Sequence, residues 1–164
     1  MKMAAALSNH FDLVYSVGTY APFSTCGDTK RPDVIVRSGT TMIFVECDEH
    51  SHHDYNTTCE WAKLLNHMQS GLATEGITSV GFIRFNPDAW KVRGETVRTK
   101  WQTRMDVLVS HIQELLLGSN WSVSYLYYPT ESENPIERIP SKVVQQWLTT
   151  LSAAKLNDIT PPAA

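Results

Sequence analysis

A chain of 164 residues and 18.5 kDa, 42% hydrophobic and 10% aromatic, has the size of one domain with a single core and the composition of a soluble fold. Its net charge of −3 and pI near 6.0 argue against nucleic-acid binding through bulk positive charge, and no apolar run approaches the ~20 residues of a membrane helix. Three cysteines, Cys26, Cys47 and Cys59, form no C-x-x-C pair, which argues against a disulfide framework and for a reducing, intracellular setting. The opening M-K-M-A-A-A-L-S-N-H turns polar too soon for a secretory signal.

In chain order, Phe11–Val17 alternates polar and apolar residues and predicts a half-buried strand. Thr19–Lys30, with Pro22, Gly27 and Asp28, reads as a loop. Val34–Val36, a turn at Ser38-Gly39 and the apolar Thr41–Cys47 predict a hairpin. The unbroken apolarity of Met42–Val45 predicts a central strand covered on both faces. Trp61, Leu64, Leu65, Met68 and Leu72 carry a helical period ending near Gly71 or Gly76. Thr78–Phe85 predicts a third core strand, stopped by Asn86-Pro87-Asp88. Val97, Trp101, Leu108, Ile112 and Leu115 mark a longer helix closed by Gly118, and Ser122–Tyr128 a fourth strand. Pro129–Pro140 reads as a loop, Ser141 as the N-cap of a last helix, and the final D-I-T-P-P-A-A as a disordered tail. The order predicts an α/β sandwich around a small mixed sheet, one domain over residues 1–158 with 159–164 as the tail.

The chemistry gathers between Lys30 and Tyr55. Asp33 follows a proline, which holds it extended at the entrance to a strand. Glu46 and Asp48 lie two apart and share a strand face. Pairing of Val34–Val36 with Met42–Val45 brings Asp33 level with Glu46. Carboxylates that close repel unless they share a proton or a cation, and oxygen-only clusters suit Mg²⁺ or Mn²⁺. Such an ion can acidify water and neutralise charge in phosphodiester hydrolysis. The run E-H-S-H-H-D adds His50, His52 and His53, candidates for proton transfer. The rival reading is a structural zinc site of His50, His53, Cys59 and Cys47. Arg84 on a core strand needs an anion, either the scissile phosphate or Glu46 or Asp48. From Arg84 to Arg104 six basic residues face only Asp88 and Glu95, a segment able to present a positive face to phosphates.

The blocks R-P-D (Arg31–Asp33), V-E-C-D-E-H-S-H (Val45–His52), C-E (Cys59–Glu60) and F-I-R-F-N-P-D (Phe82–Asp88), with Tyr55, resemble PD-(D/E)XK restriction-endonuclease-like proteins of large DNA viruses and algae. The E-x-D-x-x-x-H kernel is similar to that of the Vsr-like endonucleases, a clan that includes homing endonucleases. The resemblance covers about residues 30–90. It implies a restriction-endonuclease-like core and metal-dependent DNA cleavage. Asp33 and Glu46 would hold metal, joined by Asp48, which stands where many relatives place lysine. His52 would handle the proton. Lys63 would supply the missing positive charge from the following helix, on a face it shares with Glu60 and His67. Arg31, Arg84, Lys91, Arg93, Arg98 and Lys100 would contact DNA. A second copy is the usual requirement for a double-strand cut by so small a protein. A nuclease fold that binds nucleic acid without cleaving it is the competing expectation.

Overall fold

In the computed structural model, which describes residues 2–13, 32–49, 57–118 and 121–153, the strand β2 (Thr41–Cys47) is the centre of organisation. It is buried from Thr41 to Glu46, as its unbroken apolar sequence requires. β1 (Val34–Ser38) folds back on it antiparallel through Gly39, whose φ of 56° suits a residue without a Cβ. β3 (Ser79–Phe85) and β6 (Ser122–Leu126) follow in parallel, and β7 (Ile136–Ile139) closes the far edge antiparallel. The five-stranded mixed sheet has the order β1-β2-β3-β6-β7.

The two-residue side-chain period divides the core. Ile35, Met42, Phe44, Val80 and Phe82 pack against Leu64, Leu65 and Met68 of α2 (Thr57–Leu72) and Val144 of α4 (Ser141–Ala153). Val34, Val36, Ile43, Val45, Ile83 and Phe85 pack against α1 (Lys2–Leu7) and against Met105, Leu108 and Ile112 of α3 (Trp101–Leu117). Helices on both faces of a mixed sheet make this an α/β fold. α2 and α3 both link neighbouring parallel strands in the same direction across the sheet, yet they cover opposite faces. The two crossovers consequently have opposite hands, against the usual uniformity.

The expected hairpin, central strand, helices and third strand all form. Four elements escape the linear pattern. α1 is a short helix tied down by the buried Met3 and Leu7. Trp90–Val92 (β4) and Glu95–Val97 (β5) pair as a separate hairpin, so Val97 belongs to a strand and α3 begins only at Trp101. Its turn sits at Arg93-Gly94, both with positive φ, 50° and 81°, the dihedral pattern of a tight hairpin turn. β7 lies inside the expected Pro129–Pro140 loop and exists through pairing with β6. Trp101, read as core, opens α3 at 37% exposure with its ring edge-on to Phe85 at 6.0 Å. Leu13 bridges Val36 antiparallel, in keeping with a strand there; residues 14–17, and the loop expected at Thr19–Lys30, lie outside the described residues.

Gly71 sets how closely α2 approaches the sheet, because a Cβ there would stand 2.9 Å from the Phe44 ring and 3.0 Å from Val80. Overpacking of this kind costs about 1–3 kcal/mol, against a helix-propensity gain of about 1 kcal/mol. Gly71→Ala is expected to lower the urea midpoint without changing its slope; an unchanged or raised midpoint would show that α2 shifts freely.

Candidate active site

The β1–β2 register pairs Val34 with Val45, and its continuation sets Asp33 opposite Glu46. The Cys47 amide donates to Asp33 Oδ2 at 2.7 Å, fixing that carboxylate at the strand end. Asp33, Glu46 and Arg84 share the alternation of Ile35, Phe44 and Phe82, so all three project on the α2 side of the sheet. The helix answers with the face formed by Glu60, Lys63 and His67. Lys63 Nζ donates to Glu46 Oε2 at 2.5 Å. His67 Nε2 lies 3.4 Å from Glu46 Oε1, its ring stacked against Phe44 and Phe82 at 5.6 and 6.0 Å. The polar face of α2 therefore looks onto the carboxylates, as its spacing predicts.

Asp48 is placed differently. It is fully buried and accepts hydrogen bonds from Arg84 Nε and the Tyr128 hydroxyl, while Arg84 NH2 donates to Glu60. Burial alone would lower the Arg84 pKa, but Asp48, Tyr128 and Glu60 overcome it and hold the guanidinium more firmly protonated than usual. Burial, then the charge of Asp48, pushes the Tyr128 hydroxyl up, so it stays a donor. Tyr128 reaches this face through a kink. Tyr127 has a φ of 63°, costly for a bulky residue, and it ends β6 at Leu126, two residues before the expected end. Leu126 and Tyr127 thereby both enter the α3-side core. Asn86 Nδ2 donating to Tyr127 O at 2.8 Å, and the Tyr127 amide donating to Pro135 O at 2.8 Å, hold the kink.

Two groups carry strain in their ionisation. Burial raises the Asp33 carboxyl; the Cys47 amide opposes this and Glu46 reinforces it. Burial and the field of Asp33, Glu49, Asp48 and Asp88 push the Cys47 thiol up to about 12, which leaves it a poor thiolate ligand or nucleophile.

Among the described residues no group of three or more His, Cys, Asp or Glu side chains is arranged to hold a metal. Asp33 and Glu46 nonetheless fit a hard divalent ion. Glu46 Oε1 is buried and accepts no hydrogen bond of good geometry among the described residues, and a cation would relieve the Glu46 repulsion that adds to burial in raising Asp33. Mg²⁺ commonly binds through one or two carboxylates, completing its shell with water and phosphate oxygens. The Asp48 carboxylate is engaged with Arg84 and Tyr128 instead.

The structure thus gathers Asp33, Glu46 and Lys63, and sets Asp48 and Arg84 in an adjoining network with Glu60 and Tyr128. Lys91, Arg93, Arg98 and Lys100 are exposed on the β4–β5 hairpin and the link to α3, which leave the sheet beyond Phe85, partner of Cys47. Arg31, His50, His52, His53 and Tyr55 lie outside the described residues, as does the side chain of Cys59. Tyr128 went unnoticed in the sequence because its role depends on the kink at Tyr127, which no local motif announces. In comparisons with known proteins, no family model, curated protein or solved structure matches this chain.

Tyr128→Phe removes a donor to a buried carboxylate and is expected to cost about 1.5–3 kcal/mol, whereas Arg84→Met leaves Asp48 buried without its cation and should cost about 3–5 kcal/mol. Chemical denaturation tests the order, and equal losses would contradict it. Asp33→Asn has the opposite sign. A carboxyl raised above its unfolded value gives stability that is present below the unfolded pKa and lost as pH rises through the folded one. At pH 7 the ionised Asp33 is a net burden, so the melting temperature of Asp33→Asn should equal or exceed that of the native protein.

Proposed function

We propose that the protein is a divalent-metal-dependent endonuclease that hydrolyses DNA phosphodiester bonds on a restriction-endonuclease-like core. The observation that carries this reading is the meeting of Asp33 and Glu46 across the hairpin with Lys63 on Glu46 at 2.5 Å. Two carboxylates and one amine on a single face form the charge pattern that metal-assisted phosphoryl chemistry needs. Asp33 and Glu46 would hold Mg²⁺ or Mn²⁺, which supplies Lewis acidity at the phosphate. Lys63 orients Glu46 and offers ammonium protons to a phosphate oxygen, the role left vacant in the strand by Asp48. Arg84 anchors Glu60 and so fixes the turn of α2 that carries Lys63. His52 is the candidate for proton transfer, and the exposed cations of the hairpin would track the DNA backbone. Virus or mobile-element DNA is the substrate setting that the family resemblance suggests, with two copies for a double-strand cut.

A non-cleaving nucleic-acid-binding protein is the second reading, favoured by one observation: the Lys63 ion pair already neutralises Glu46. Supercoiled plasmid separates the two. Mg²⁺ or Mn²⁺, but not EDTA, is expected to give open-circle or linear product, and Glu46→Gln and Lys63→Met each to slow it by about 10²-fold or more. DNA retention in a gel shift without metal-dependent nicking would select the second reading. Mg²⁺ should also raise the melting temperature of the native protein, as any ligand of the folded state does, and fail to do so for Asp33→Asn.

A further inference from the structure

Beyond the carboxylates, a cavity of about 490 Å³ opens between the end of β3 and the start of α3, lined by Pro87, Asp88, Ala89, Arg98, Thr99 and Arg104. Its size falls in the range of small-ligand sites, and its chemistry is unusual in one respect. Arg104 is 1% exposed, yet no carboxylate among the described residues lies within ion-pairing distance of it. Its Nε donates to Thr99 O at 3.2 Å, its NH1 donates to Asn86 O at 2.9 Å, and its guanidinium stacks 4.3 Å from the Tyr127 ring centre. NH2 donates to nothing among the described residues. A buried cation that, among the described residues, is held by carbonyls and an aromatic face keeps its demand for an anion.

Two further features act in the same direction. Arg98 stands exposed at the rim. α3, 17 residues long, starts here at Trp101; Lys100 makes no side-chain cap and the first turn contains no acid, so nothing within the helix compensates its positive end. Asp88 is the opposing charge; the lining residues Pro87–Ala89 follow Phe85, which pairs with Cys47 and whose carbonyl accepts from the Asp48 amide at 2.8 Å, so the cavity lies beside the strand end that follows Glu46.

We propose that this cavity is a phosphate-binding subsite, with Arg104 of α3 at its floor, Arg98 at its rim and Thr99, just before α3, in its wall, that takes a phosphodiester group of a polynucleotide strand. The polynucleotide as the source of the phosphate rests on the nuclease reading above; the anion site itself does not. The cavity follows β3 on the α3 side, while Asp33 and Glu46 project on the α2 side of the neighbouring strand ends. A strand held in both would cross the edge of the sheet, and the subsite would fix its register without reading its bases.

The test is the arginine Nε–Hε signals in ¹H–¹⁵N NMR, followed in EDTA so that nothing is cleaved. Inorganic phosphate and a four-residue oligothymidylate are titrated separately against matched chloride. Saturable shifts of the Arg98 and Arg104 signals are expected, with the oligonucleotide bound at least about tenfold more tightly because it also meets the hairpin cations. Arg98→Ala should weaken oligonucleotide binding several-fold and flatten its salt dependence by about one phosphate contact, while exposed Lys142→Ala leaves it unchanged. Arg104→Lys keeps the charge and loses the fork, and should weaken phosphate binding; because it also gives up contacts to Thr99, Asn86 and Tyr127, the exposed Arg98→Ala supplies the reading that no loss of stability can imitate. No saturable shift with either probe overturns the subsite. Equal affinity for phosphate and oligonucleotide overturns the polynucleotide source and leaves a free-anion site. Saturable binding here with no metal-dependent nicking would count against the nuclease reading alone.

Discussion

The guanidinium of Arg84 is the interaction on which the candidate site depends. Two strand ends and one helix bring Asp33, Glu46, Asp48 and Glu60 into one small volume, and Asp48 has no access to water. Carboxylates in such a place cannot stay ionised without cations of fixed geometry. Arg84 serves two at once, Asp48 through Nε and Glu60 through NH2. Because Glu60 sits in the first turns of α2, this contact sets the helix's rotation as well as its position. Lys63, one turn further on, then has a single place to go, onto Glu46.

The arrangement is stiff because strand register and side-chain face are linked. A slip of one residue between β1 and β2 would send Asp33 to the opposite face of the sheet from Glu46. The hydrophobic alternation forbids that slip, since Ile35 would exchange cores with Val34 and Val36 while β2 stayed as it is. The apolar pattern of the strands thereby positions the charged residues at their ends. The stacking of His67 against Phe44 and Phe82 joins the same core directly to the Glu46 carboxylate.

The strained Tyr127 links this site to the basic hairpin. Its kink turns Tyr128 toward Asp48, and two residues later Thr130 bridges Val92 of β4, with its amide donating to Lys91 O at 3.0 Å and its carbonyl accepting from the Arg93 amide at 2.9 Å. Trp90 and Arg104 both pack on the Tyr127 ring. The cation-bearing hairpin is thus bound to the segment that completes the buried network, and the Arg104 cavity opens among the residues that flank the hairpin, Pro87–Ala89 before it and Arg98 and Thr99 after it.

By itself the sequence determined the α/β alternation, the β1–β2 hairpin, the burial of β2 and the meeting of Asp33 with Glu46, because these follow from periods of two and 3.6 residues and from a register only a few residues long. It also placed Glu60, Lys63 and His67 on one helix face, and so their common outlook. Only the tertiary structure decided which cation each carboxylate meets, Lys63 on Glu46 and Arg84 on Asp48. Asp48 and Glu46 are two residues apart and chemically alike, but they differ in the neighbours that a distant strand and a kinked tyrosine deliver. The β4–β5 hairpin, β7 and the buried Arg104 were decided there too, since each depends on partners far along the chain: β7 on pairing with β6, and Arg104 on the carbonyls of Asn86 and Thr99 and the ring of Tyr127. Local pattern carries the energy of hydrophobic burial, whereas the pairing of buried charge is settled by geometry across the whole fold.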